Sequence, residues 1–90
     1  YTVLVYNELL PGTIAGISVL KNKSVVGQGF STACEGFKVH IQNSVKSYDL
    51  SSSVQFSHEK DKFRGPFTND RDHKWKFTGS KNKWDIEQLA

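Results

Sequence analysis

Methionine is missing altogether from this chain, cysteine occurs once and proline twice. Without methionine even at position 1, the chain reads as a processed product or an excised domain. A single cysteine, Cys34, excludes an intramolecular disulfide, and because small secreted domains are usually rich in disulfides its isolation points to the cytosol. As a lone thiol it is expected to be buried and inert. No apolar run approaches the roughly 20 residues that a membrane-spanning helix needs, so no membrane role is expected. No signal peptide is present, although a mature secreted chain would already have lost one. Metal chemistry finds no support: His40, His58 and His73 show no zinc spacing, and Cys34 has no second cysteine to join it. Asn69-Asp70-Arg71-Asp72 lacks the glycine and terminal glutamate of a calcium loop and reads as a turn. "GQGF", from Gly27, is too short for a phosphate-binding loop. No cofactor is expected.

What is present favours strands. Ninety residues make one domain, covering the whole chain. Six Phe, three Tyr and two Trp supply bulky core material, and β-branched residues dominate the remaining apolar set. The net charge is +3. From Glu59 onward lie eight of the twelve cations but also six of the nine acids, so this half is a mixed, solvated surface. A nucleic-acid footprint concentrates cations on one face, and this pattern disfavours it.

Along the chain, Thr2–Tyr6 is a near-continuous apolar run, consistent with a strand covered on both faces, and Pro11-Gly12 punctuates the turn after it. Thr13–Leu20 places Ala15, Ile17 and Val19 on one face. "KNKS" is turn-like and carries a glycosylation sequon at Asn22. Val25-Val26 opens a third strand, which Gly27 and Gly29 are expected to bend or bulge. Phe37, Val39 and Ile41 alternate with Lys38, His40 and Gln42, and Val54 and Phe56 alternate with Ser53, Gln55 and Ser57. Residues 58–72 read as a long charged loop anchored by Phe63 and Phe67. Ile86–Leu89 is the one helical candidate. The expectation is an all-β antiparallel sandwich of about six strands ending in a hairpin.

Both tryptophans fall in that hairpin, "KWKFTGSKNKW". A three-residue loop would set Trp75 against Asp85 and mix apolar with charged faces. A two-residue Gly79-Ser80 turn would set Lys76 against Lys83. A four-residue loop, Gly79–Asn82, pairs Phe77 with Trp84, Lys76 with Asp85 and Lys74 with Glu87, and is expected on charge pairing. Either of the last two buries Trp75 and Trp84 on one face.

Catalytic residue types are present without a diagnostic spacing. His40, Glu59, Arg64 and His73 could supply the base, acid and phosphate-binding cation of a metal-independent ribonuclease. "FKVHI" resembles the Tyr-x-His strand of the guanine-specific fungal ribonucleases, with Lys38 where the tyrosine would stand. A small ribonuclease or RNA-binding β domain is therefore the alternative reading.

"VLVYNELLPGTIAGISVL", Val3–Leu20, resembles the first two strands of the MAX-type effectors, small secreted proteins of plant-pathogenic fungi. Phe37–Gln42 and Ser53–Ser57 fall where that six-stranded sandwich has its fourth and fifth strands. The family's usual disulfide is not matched: Leu4 occupies the first position and no cysteine stands near Ser53. The resemblance implies a non-enzymatic virulence or avirulence protein, secreted and translocated into a host cell. It also implies a host protein partner, such as one with a heavy-metal-associated domain, bound by strand addition at a sheet edge. The cations expected to meet that partner are Lys60, Lys62, Arg64, Lys74 and Lys76. A monomer is expected.

Overall fold

A computed structural model of the protein describes residues 1–89. It contains eight strands and, among the described residues, no helix: β1 (Thr2–Leu9), β2 (Ile14–Lys21), β3 (Ser24–Thr32), β4 (Gly36–His40), β5 (Ser47–Val54), β6 (Lys62–Thr68), β7 (His73–Ser80) and β8 (Lys83–Leu89). They form two four-stranded sheets, ordered β4-β1-β7-β8 and β3-β2-β5-β6. Neighbours are antiparallel except β1 and β7, which run parallel with Val5 beside Trp75. The all-β, sandwich-like expectation holds, but eight strands replace about six.

Alternation puts one face of each sheet inside. Val3 and Val5, Ala15, Ile17 and Val19, Tyr48 and Leu50, Trp75 and Phe77, and Trp84 and Ile86 belong to one buried cluster. Leu4 is only half-buried and Tyr6 is exposed, so β1 is covered on one face rather than both. That strand also runs past Tyr6, because Asn7 turns inward and finds partners there. Its Nδ2 donates to the carbonyls of Ser31 (3.0 Å) and Thr13 (3.4 Å), and its Oδ1 accepts from the Leu9 N–H (3.1 Å).

Three departures from the sequence pattern have local causes. First, β5 runs from Ser47 to Val54 rather than from Ser53 to Ser57, with Tyr48, Leu50, Ser52 and Val54 inward. Ser52 is tolerated inside because its Oγ donates to the Lys62 carbonyl at 2.8 Å. Phe56 lies beyond the strand end in a turn closed by Ser57 N–H to Val54 O, and it is 80% exposed. Second, the expected loop contains β6, whose polarity is inverted: Phe63 faces out while Lys62 and Arg64 turn toward β8. Only Phe67 packs against the core as an anchor.

Third, the β7–β8 turn is none of the three loops considered for that hairpin. Ser80 pairs with Lys83 around Lys81-Asn82, which sets Phe77 opposite Ile86 and Gly79 opposite Trp84. Gly79 has φ of 104°, and a Cβ there would meet the Lys83 backbone, so this register suits glycine alone. Lys76 meets Glu87 across the pair and Glu8 on β1 at 3.5 Å, without needing Asp85. Both registers have the same parity, which is why Trp75 and Trp84 remain buried as expected. Ile86–Leu89 is part of β8, not a helix.

At one end of the core the rings of Tyr48, Phe67, His73 and Trp75 stack edge-on or tilted at centroid distances of 5.1–6.2 Å. Burial, with smaller contributions from the Asp70 and Asp72 charges, pushes the Tyr48 hydroxyl up to about 12 from 10.0. The folded state therefore holds the Tyr48 proton more tightly than the unfolded chain does. Stability is unaffected below pH 10, where both states keep the proton, and falls as pH rises from about 10 to 12. At about 1.4 kcal/mol per unit, the whole loss from this group is about 2–3 kcal/mol. Urea unfolding at pH 9 and pH 11.5 should show a smaller loss for Tyr48→Phe than for the wild type; equal losses would remove Tyr48 as the cause.

Candidate functional site

The four sheet edges differ sharply in how their backbone groups are treated. An unpaired edge is a ready template for another strand unless something blocks it. On β8, which borders β6 of the other sheet, side chains occupy the exposed backbone groups. Trp84 N–H donates to Glu59 Oε1 at 3.3 Å, and the Trp84 carbonyl accepts from Lys62 Nζ at 2.8 Å. Ile86 N–H donates to Asp85 Oδ1 at 2.9 Å, and its carbonyl accepts from Arg64 Nη2 at 3.4 Å. Ion pairs tie the same residues together: Lys62 to Glu59 at 3.0 Å, Lys62 to Asp85 at 3.8 Å and Arg64 to Asp85 at 3.2 Å. Lys62 also lies over the Trp84 ring, 4.9 Å from its centroid. This flank is a stitched seam.

β6 shares that seam and is interrupted by Pro66, which has no N–H to offer a new strand. At the opposite flank, β4 is five residues long and carries the exposed Lys38 and His40. β3 has none of these charges. Its nine residues, "SVVGQGFST", contain no ionisable side chain and no proline. Val25 is 54% exposed, Val26 42% and Phe30 76%.

Register identifies which β3 groups point off the sheet. Gln55 N–H donates to Ile14 O, so the even positions of β2 face β5 and its odd positions face β3. Ala15–Ser31, Ile17–Gly29 and Val19–Gly27 are therefore the hydrogen-bonded pairs, leaving the N–H and C=O of Gln28 and Phe30 directed outward. A bulge at Val25-Val26 is the one protective device. Gly27 and Gly29 serve a different purpose: a Cβ would lie 2.8 Å from Val39 Cγ1 at Gly27 and 2.5 Å from the Phe37 ring at Gly29. Their bareness lets β3 close down on β4.

The residues singled out from sequence are dispersed. Lys62 and Arg64 belong to the seam with Glu59. Lys76 pairs with Glu8, while Lys60 and Lys74 are exposed and enter no ion pair among the described residues. His40 sits opposite Thr2 on an exposed strand position. His73 is packed between Tyr48 and Phe67, with Nδ1 2.8 Å from Gln88 Nε2. One surface cleft holds Arg64 and another holds His73, and neither contains a second member of the set His40, Glu59, Arg64 and His73. Cys34 is exposed rather than buried: it occupies the β3–β4 turn at φ of 68°, where its N–H donates to Asn7 O at 2.8 Å. Among the described residues no group of three His, Cys, Asp or Glu side chains could hold a metal ion.

The edge of β3 escaped sequence reasoning because an uncharged strand reads equally well as interior or border. The visible signal was the lack of any charge between Lys23 and Glu35. Comparison with protein-family models, with curated proteins and with solved structures finds no match to this chain.

Proposed function

We propose that this chain is a non-enzymatic protein-interaction module of the effector kind, secreted and carried into a host cell. There it takes an extended segment of a host protein onto the edge of β3. The observation that carries this reading is the contrast between edges: β8 has its backbone groups at Trp84 and Ile86 occupied by side chains, whereas β3 presents those of Gln28 and Phe30 beside exposed Val26 and Phe30 side chains. Strand addition draws affinity from main-chain hydrogen bonds and specificity from alternate side chains, so no catalytic constellation is needed. Lys60 and Lys74, exposed and outside the ion pairs, lie away from β3, before β6 and on β7, and act on an acidic partner through long-range attraction rather than contact. Engagement of Glu59 and Arg64 in the seam supports the non-enzymatic reading over a ribonuclease, which would need both converging with a histidine.

A heavy-metal-associated domain, the partner class that the family resemblance implies, is the test ligand. Isothermal titration should show binding to the wild type and little or none to Gln28→Pro, which deletes an outward N–H, leaves the backbone bonds to β2 in place and gives up only the exposed Gln28 Nε2 to Ser18 Oγ contact. Lys60→Glu with Lys74→Glu should weaken it severalfold. Absence of binding to the wild type, or binding by Gln28→Pro at wild-type strength, would sink the proposal.

A further inference from the structure

We infer that the same β3 edge, when no partner fills it, pairs antiparallel with β3 of a second copy of this chain. The inference rests on the reading of β3 as the open edge, and adds that its occupant is the chain itself. A two-fold axis at Gln28 aligns Val26 with Phe30, Gly27 with Gly29 and Ser24 with Thr32 of the other copy. The strand is close to a chemical palindrome about that residue: apolar, glycine, glutamine, glycine, apolar.

Parity agrees with the chemistry. An antiparallel pairing centred on an even position matches even with even, and the even positions Gln28 and Phe30 direct their N–H and C=O off the sheet. Gln28 then faces Gln28 across a hydrogen-bonded site. On the outer face each exposed Phe30 ring meets an exposed Val26, an aromatic–β-branched pair of the kind that stabilises sheets. Gly27 and Gly29 bring no side chain to the inner face, where Phe37 and Val39 already fill the space.

Charge favours this contact over other self-contacts. The chain carries +3, so two copies repel over most of their surfaces, but β3 contributes no charge to the junction. Antiparallel alignment also brings the β2–β3 turn, with Lys21 and Lys23, beside the β3–β4 turn of the other copy, with Glu35. These pairs are repeated by the two-fold axis, as in any isologous interface. Lys38 on β4 lies between inward Phe37 and Val39 and so projects to the outer face of the opposite sheet.

Sedimentation equilibrium of the protein alone, run up to about 1 mM, tests the idea without any partner. The wild type should show a monomer–dimer equilibrium. Gln28→Pro removes one N–H from each copy, and Gln28→Lys places two ammonium groups at the axis; each should raise the dimer dissociation constant about tenfold or more. Thermal melts of the variants at concentrations where all are monomeric should match the wild type, which separates lost pairing from lost folding. A wild type that stays monomeric throughout, or a dimer unmoved by both substitutions, overturns self-pairing. Neither outcome touches the capture of a host segment, which is read from the titration above.

Discussion

Trp84→Ala is expected to lower the unfolding free energy by about 3–5 kcal/mol, the range for losing a buried aromatic ring. The ring is 3% exposed and packs 5.6 Å from the Phe77 ring, while its Nε1 donates to Ser57 Oγ at 3.1 Å. Its loss leaves a cavity beside Phe77, which is fully buried and held by β7 neighbours on both sides. Lys62 also loses the surface over which its ammonium sits, so the β6–β8 seam loosens with the core. A small domain is stable by only about 5–15 kcal/mol in total, so a large part of the population-level margin goes with one ring. Urea denaturation monitored by far-ultraviolet circular dichroism measures the change. A loss below about 1 kcal/mol would mean the ring is not a core element.

The second large effect is expected at a polar position. Asn7→Leu keeps the volume and adds apolar surface, yet should cost about 3 kcal/mol, because buried groups left without partners cost about 1–3 kcal/mol each. Asn7 is 1% exposed and holds three backbone partners, at Ser31, Thr13 and Leu9. Ser31 is on β3 and Asn7 on β1, so its amide ties the two sheets together at the turn end of the molecule. Hydrogen exchange gives a local readout: the Leu9 amide should exchange faster in the variant than in the wild type. A stability change within about 0.5 kcal/mol would show that those groups find other partners.

How much of this was legible beforehand varied with residue type. Val39 and Ile41 alternate with polar neighbours, Ala15, Ile17 and Val19 recur at every second position, and all are buried. Trp75 and Trp84 were correctly placed inside because face assignment depends only on parity, and the true register differs from the expected one by an even step. The turn itself was misjudged because pairwise lysine–acid counting considered two strands, whereas Lys76 also meets Glu8 on a parallel neighbour 68 positions away. β5 was hidden by Ser52, a hydroxyl whose inward position is licensed only by the Lys62 carbonyl opposite it. β6 was hidden more deeply, since "KFRGP" turns its cations toward β8 and Phe63 toward water. Asn7 gave no warning either: an asparagine before a proline-containing stretch looks like turn chemistry, which its bonds to Leu9 and Thr13 are, while the tie to Ser31 on β3 comes from a strand 24 positions away.

The unequal edges also set a limit on growth. In polymer terms, a unit that can join at two ends propagates, while a unit with a single joining end stops once that end is used. With the seam of Glu59, Lys62, Arg64 and Asp85 covering β8, Pro66 interrupting β6, and β4 short and carrying exposed Lys38 and His40, the molecule is monofunctional at β3. Whatever strand docks there, the extended sheet terminates at the far side, and assembly ends in a discrete complex rather than a fibre.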